Sequence, residues 1–245
     1  MSWKENIMAF KNAIEVEEYH SGRYGAPNQK RKPKVKPTPE QVKKRNQYNK
    51  EKTARRKLRQ YFDVNDYLVD YTYRKEERPS DTAEAKADFK RAMRIARKEY
   101  RKRGYELKWM RNIEVGTKNA WHIHFVVNRI PDTDIILKEA WDKGKVITQL
   151  LYEKGEFAEL ASYITKTPDT DNRLKESSYS TSRNLPLPEP EVFIHYRFPT
   201  WDEVKIPEGF YLDKKSFKEG VNPFTGYKYR VYTLLRIRRG RGCAG

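Results

Sequence analysis

Two histidines stand two positions apart, at His122 and His124, in a chain of 245 residues that holds only four. They lie in the run Trp121-His-Ile-His-Phe-Val-Val-Asn128. Trp121, Ile123, Phe125 and Val127 alternate with them, which is the period of a half-buried β-strand. Both imidazoles therefore project from the face opposite the apolar one. Two neutral imidazoles on neighbouring same-face positions can hold one divalent metal ion. Two solvated histidines on an exposed strand face would give the same spacing.

A carboxylate joins them through the preceding strand. From Tyr105 to Val115 the odd positions Tyr105, Leu107, Trp109, Ile113 and Val115 are apolar, and Glu114 is the last even position before a turn at Gly116 to Asn119. In an antiparallel hairpin both odd faces can pack one core, which puts Glu114 on the histidine face. Two imidazoles and a carboxylate with open positions suit Mn²⁺ or Mg²⁺. A nucleophile is offered by Ala161-Ser-Tyr-Ile-Thr-Lys166, where Tyr163 and Lys166 are helical neighbours at i and i+3. A phenol is a poor nucleophile at its ordinary pKa near 10, and adjacent positive charge would favour attack. A helical tyrosine packed on a sheet beside a solvated lysine fits the same spacing.

The elements that must position these residues are readable in outline. A short strand is expected around Ala13–Val16, then an extended Lys/Pro arm to Pro39, then a helix from Thr38-Pro39-Glu40 to about Tyr61, with proline in its first turn. Tyr67–Tyr73 reads as a strand. Ser80 or Asp81 can cap a helix whose buried stripe is Phe89, Ala92, Met93, Ala96 and Tyr100, ending at Gly104. After the hairpin come a short helix over 134–142, a strand over 145–152, and a helix from Phe157 to Thr165 stopped by Pro168. The order β-α-β-β-α-β-α predicts an α+β fold with an antiparallel, ferredoxin-like sheet. Three segments are expected: a basic arm and helix (1–62), the histidine-bearing domain (63–190), and a C-terminal β extension (191–245). In the last, Tyr227–Ile237 is expected to form a hairpin with Phe210–Leu212 across a turn at Asn222–Gly226.

Composition points to a polyanionic partner. The chain carries 52 Lys+Arg against 34 Asp+Glu, a formal charge of +18. Mean hydropathy is −1.03, yet 13% of residues are aromatic, which argues for a folded core rather than disorder. Residues 31–60 hold 13 Lys/Arg and two Glu. Lys43, Lys44, Arg55 and Arg56 there, and Arg183 further on, are expected to meet nucleic-acid phosphates. The Arg236–Arg241 tail fits either phosphate contact or an ordinary solvated terminus. No apolar run is long enough to span a membrane, and no apolar signal core is visible, so a cytoplasmic protein is expected. Lone Cys243 can make neither an intramolecular disulfide nor a thiolate metal cluster.

The set His122-Ile123-His124, Glu114 and Tyr163-Ile-Thr-Lys166 resembles the HUH endonuclease superfamily, specifically the rolling-circle replication initiator (Rep) proteins of plasmids and bacteriophages. Asp70-Tyr-Thr-Tyr73 is similar to the family's first strand motif but departs at its first two positions, so no role is carried to Asp70. The run Ser180-Thr-Ser-Arg-Asn-Leu-Pro-Leu-Pro188 looks like a segment that follows the tyrosine in phage-type members. The resemblance covers about residues 40–190. It implies a metal site of His122, His124 and Glu114, a Tyr163 nucleophile assisted by Lys166, and nicking and joining of single-stranded or hairpin origin DNA through a 5′-phosphotyrosine. The tyrosine lies downstream of the histidines, as in replication initiators and single-tyrosine transposases and unlike conjugative relaxases. No Gly-x-x-x-x-Gly-Lys-Ser/Thr loop is present, so a separate helicase and a polymerase are implied as partners. A non-catalytic nucleic-acid-binding protein on the same sheet is the alternative.

Overall fold

A computed structural model describes residues 3–20, 36–151, 157–166, 179–196, 201–221 and 227–237. The arm over 21–35, Tyr152, Pro168, the turn at 222–226 and Cys243 lie outside them. The chain is α+β, with two antiparallel sheets and four helices among the described residues. It divides into two compact units, one of Met1–Val42 with Leu187–Gly245 and one of Lys43–Pro186.

The Lys43–Pro186 unit carries the histidines. Its strands are β3 (Tyr67–Thr72), β4 (Trp109–Gly116), β5 (Ala120–Val127), β6 (Val146–Leu150) and β7 (Ser180–Thr181), ordered β6-β3-β5-β4-β7 and antiparallel throughout. Helix α2 (Thr82–Lys102) joins β3 to β4 and α3 (Thr133–Ala140) joins β5 to β6. Asp81 caps α2 by accepting from the Glu84 backbone N–H at 2.8 Å. The expected stripe of α2 is buried, and it packs on the odd residues Val69, Tyr71, Ile113, Trp121, Ile123, Phe125 and Val127. Burying each large side chain contributes about 2 kcal/mol. Strand β4 starts at Trp109 rather than Tyr105. Tyr105 is exposed, and the Lys108 N–H is taken by the Asn128 side chain at 2.7 Å.

The even face of the same sheet is divided. Helix α1 (Pro39–Tyr61) and helix α4 (Ala158–Thr165) cover one end, where Ala54, Leu58, Phe157, Leu160, Ala161 and Ile164 bury Met110 and Val126. Thr38 and Gln41 cap α1 reciprocally, the Gln41 N–H donating to Thr38 Oγ1 and the Thr38 N–H to Gln41 Oε1. The other end of that face carries the polar residues of β3, β4 and β5.

The other unit is a six-stranded sheet. Strands β1 (Trp3–Ala9) and β2 (Ala13–Tyr19) form a hairpin, with β8 (Glu191–His195) beside β1 and β11 (Lys228–Arg236) beside β2. Strands β9 (Phe210–Leu212) and β10 (Lys218–Val221) share the far edge of β11. The expected pairing of Phe210–Leu212 with the last strand is present, with β10 interposed. Opposite residues Glu18 and Arg230 form a buried two-bond ion pair across β2 and β11.

Candidate metal and cleavage site

Strand β5 is the centre of the site because it is hydrogen-bonded on both sides. Register sets Asp70 of β3 opposite His124, and Glu114 and Asn112 of β4 opposite His122 and His124. All five residues are at even positions and share one face. The hairpin is closed by Lys118 and Asn119, both in the left-handed region at φ 60° and 58°.

The rings of His122 and His124 are parallel, with centroids 5.8 Å apart. Asp70 reaches both, Oδ2 lying 3.6 Å from His122 Nδ1 and Oδ1 3.5 Å from His124 Nδ1. The far nitrogen of the second ring, His124 Nε2, lies 3.6 Å from Glu114 Oε2. His124 thus stands between two carboxylates. Asp70, His122 and His124 form the compact set, with one ligand atom from each within 4.8 Å of the others. Glu114 is on the histidine face, as the hairpin predicts, but on the other side of the His124 ring. Asp70 is the residue that sequence reasoning left out. Its signal was even parity with the histidines once β3 pairs β5, a pairing across more than fifty residues.

These residues fit a divalent cation. Asp70 Oδ1 and His122 Nδ1 are buried atoms without a hydrogen-bond partner. Ligand atoms about 2.1 Å from an octahedral ion lie roughly 3.0 Å apart when adjacent and 4.2 Å when opposed. The observed separations of 3.5 and 3.6 Å fall inside that span. The Asp70 carboxylate also holds the His122 imidazole above its usual pKa, against partial burial.

Tyr163 comes from α4 and meets His124 edge to face, ring centroids 5.5 Å apart. It remains 39% exposed, which leaves its hydroxyl open to a substrate. Burial first, then the nearby Glu114 and Asp70 carboxylates, push its pKa up to about 12. Tyr179 is more deeply buried, with its hydroxyl unpaired and its pKa raised by burial. Lys166 is the residue that ends α4 rather than a member of its last turn, with φ −52° and ψ 125°. Its N–H donates to the Tyr163 carbonyl at 3.3 Å and its carbonyl accepts from Asn112 Nδ2 at 3.1 Å. Asn112, fully buried, also donates to Glu114 Oε1 at 3.4 Å. It is a second residue that sequence reasoning passed over, because an asparagine inside a strand carries no chemical signature of its own.

Of the basic residues expected to meet nucleic acid, Lys43 and Lys44 are exposed on α1, Arg55 and Arg56 are half-buried there, and Arg183 is exposed just after β7. No helix among the described residues is long and apolar enough to cross a membrane.

Residues 66–168 match the replication-associated protein ORF2 family, consistent with a rolling-circle replication initiator. The matched span runs from the approach to β3 through the end of α4, and so includes Asp70, Glu114, His122, His124, Tyr163 and Lys166. No curated protein and no solved structure matches the chain.

Proposed function

We infer that the chain is a metal-dependent DNA nicking and joining enzyme that starts rolling-circle replication through a 5′-phosphotyrosine. The observation that carries this is the placement of Tyr163, an accessible phenol, against one ring of a two-histidine, one-carboxylate cluster. The family match over 66–168 supports a role in replication. The ferredoxin-like reading of the sheet is supported by the chain order β3-α2-β4-β5-α3-β6 laid out as β6-β3-β5-β4.

His122, His124 and Asp70 would hold Mn²⁺ or Mg²⁺. Glu114 would accept from the free ring nitrogen of His124 and fix its orientation, the usual arrangement around a ligating imidazole. When bound, the ion supplies Lewis-acid charge at the scissile phosphate. Tyr163 Oη forms a bond to phosphorus while the bond from phosphorus to the 3′ oxygen breaks. The phenolic proton ends on the departing 3′ oxygen, leaving a 3′-OH for a polymerase. The phosphodiester is exchanged rather than hydrolysed, so the strand can be rejoined without a nucleotide cofactor. Lys166 offers a cation at the end of α4 to offset charge on the phosphate. The duplex would be opened by a separate helicase.

The test is incubation with single-stranded origin DNA and Mn²⁺, read as a covalent protein–DNA band on a denaturing gel. A band that requires the metal supports the reading. Tight DNA binding without a band, across Mn²⁺ and Mg²⁺, would leave a non-catalytic binding protein.

A further inference from the structure

Helix α2 carries a second basic surface that the cleavage reading does not use. Its stripe of Phe89, Ala92, Met93, Ala96 and Tyr100 is buried against the odd face of the sheet. Lys90, Arg94, Arg97, Lys98 and Arg101 project elsewhere, four of them exposed and Arg97 half-buried. The acids of this helix are engaged by other cations, Asp88 with Arg91, and Glu99 with Lys102 and Arg103. Among the described residues none of the five has an ion-pair partner.

Three of them face the β4–β7 edge. There Lys90, Arg97 and Arg101 line an open groove of ≈ 570 Å³ with Ser180, Arg183 and Asn184. The opposite wall is firmly built. Ser182 exchanges bonds with Trp109, its N–H donating to the carbonyl at 2.9 Å and its Oγ accepting from the Trp109 N–H at 3.1 Å. Asn184 Nδ2 donates to the Leu107 carbonyl at 3.2 Å and to Glu106, the one acid on the rim, at 3.4 Å. This fixes the backbone around Arg183 opposite α2. The Ser180–Asn184 run, which had no role in the cleavage chemistry, thereby gains one.

We propose that this groove binds the phosphate backbone of double-stranded DNA, as a second segment held apart from the strand at Tyr163. Phosphate is the ligand because four cations and short side-chain donors converge with a single carboxylate among them. From Lys90 to Arg101 is about 16 Å along the helix, which spans roughly five phosphates of one B-form strand. Duplex is favoured over single strand because single-strand grooves interleave cations with open aromatic platforms. The aromatic ring lining this groove, Trp109, is instead packed edge-on against Phe89 at 4.9 Å. The groove and the histidines lie on opposite faces of the sheet, so one strand at Tyr163 does not occupy both. That second-segment role rests on the cleavage reading; phosphate binding in the groove does not.

The experiment measures affinity for a random-sequence duplex against salt, for the full chain and the triple variant Lys90→Glu/Arg97→Glu/Arg101→Glu. Removing three phosphate-binding cations should weaken binding roughly tenfold or more and make the slope of log affinity against log salt shallower by about 2.7. A control with the same charge change, Lys214→Glu/Lys215→Glu/Lys218→Glu, uses exposed lysines of the other unit and should keep the slope nearly intact. An unchanged slope in the α2 variant, an equal loss in the control, or a loss confined to single-stranded DNA or to duplex RNA would overturn the proposal. Melting by circular dichroism checks the fold, and Arg97→Gln/Arg101→Gln tests the groove should the triple variant melt early. Binding is read without metal or cleavage. A chain that never forms the covalent band but shows the slope loss would sink the nicking reading and leave the groove standing.

Discussion

The side-chain amide of Asn112 donates to the main-chain carbonyl of Lys166 at 3.1 Å, tying the sheet to the end of the helix that bears Tyr163. The same amide reaches Glu114 at 3.4 Å, so one buried residue links the nucleophile's helix to the carboxylate beside His124. Asn112→Ala removes that link and leaves a carbonyl without its donor, at a cost of about 1–3 kcal/mol. Asn112→Asp keeps the shape but turns a donor toward Lys166 into an acceptor. Both variants should lose cleavage rate while binding DNA as before, Asp more than Ala. A parallel loss of affinity and rate would show a merely structural role.

Gly144 has no room for a side chain. A Cβ there would collide with the Thr72 carbonyl oxygen and lie 2.7 Å from its carbon, both backbone atoms. Thr72 is the β3 residue opposite His122, so the displaced strand end is the one that carries Asp70. Gly144→Ala should cost about 1–3 kcal/mol or more, as a clash that backbone must absorb. Urea unfolding reads it as a lower midpoint at unchanged m-value.

What the sequence disclosed of the site follows the range of its interactions. The hairpin of β4 and β5 is local, so parity alone put Glu114 with His122 and His124. Helix α4 is local too, and the helical spacing around Tyr163 survives in it, although the Lys166 backbone leaves the helix. Asp70 was hidden because its partner strand is distant in sequence and nothing in Tyr67–Tyr73 states which strand it joins. The outer sheet was hidden for the same reason. Strands β1 and β2 pair with β8 and β11, nearly two hundred residues away. A run such as Trp3–Ala9, with charges at Lys4 and Glu5, has no strong alternation to announce a strand.

His124 offers one ring nitrogen to each of two carboxylates, which makes their roles separable. Asp70→Asn should lower Mn²⁺ affinity by more than about a hundredfold. Glu114→Gln should lower it by about ten- to a hundredfold, the range for a residue that orients a ligand. Calorimetric titration of Mn²⁺ reads both, with His124→Ala as the reference for a missing ligand. The reverse ranking would place the ion on the Nε2 side of the ring, with Glu114 as the ligand and Asp70 as the orienting group.

Helix α1 is proposed to supply affinity rather than chemistry. Charge reversal of Lys43, Lys44, Arg55 and Arg56 should weaken DNA binding and make the salt slope shallower by about 2 to 4, near 0.9 for each phosphate no longer neutralised. The covalent band formed at saturating DNA should stay at the level of the unaltered chain. A salt slope equal to that of the unaltered chain would remove α1 from the binding surface.

Tyr163 is the residue on which the cleavage reading turns. Its ring meets His124 edge to face at 5.5 Å, and its hydroxyl is accessible where that of Tyr179 is buried. Tyr163→Phe deletes one oxygen atom. Fold and DNA affinity should hold, while the covalent band should vanish, because the atom that would bond to phosphorus is gone. Lys166→Ala should slow the reaction without ending it, since the ion still supplies charge at the phosphate. Its main-chain carbonyl, the part that Asn112 holds, is untouched by that change. Peptide mass spectrometry of the trapped adduct locates the nucleotide directly. A nucleotide on any other tyrosine, or nicking by Tyr163→Phe at the rate of the unaltered chain, would refute the assignment whatever the metal site proves to be.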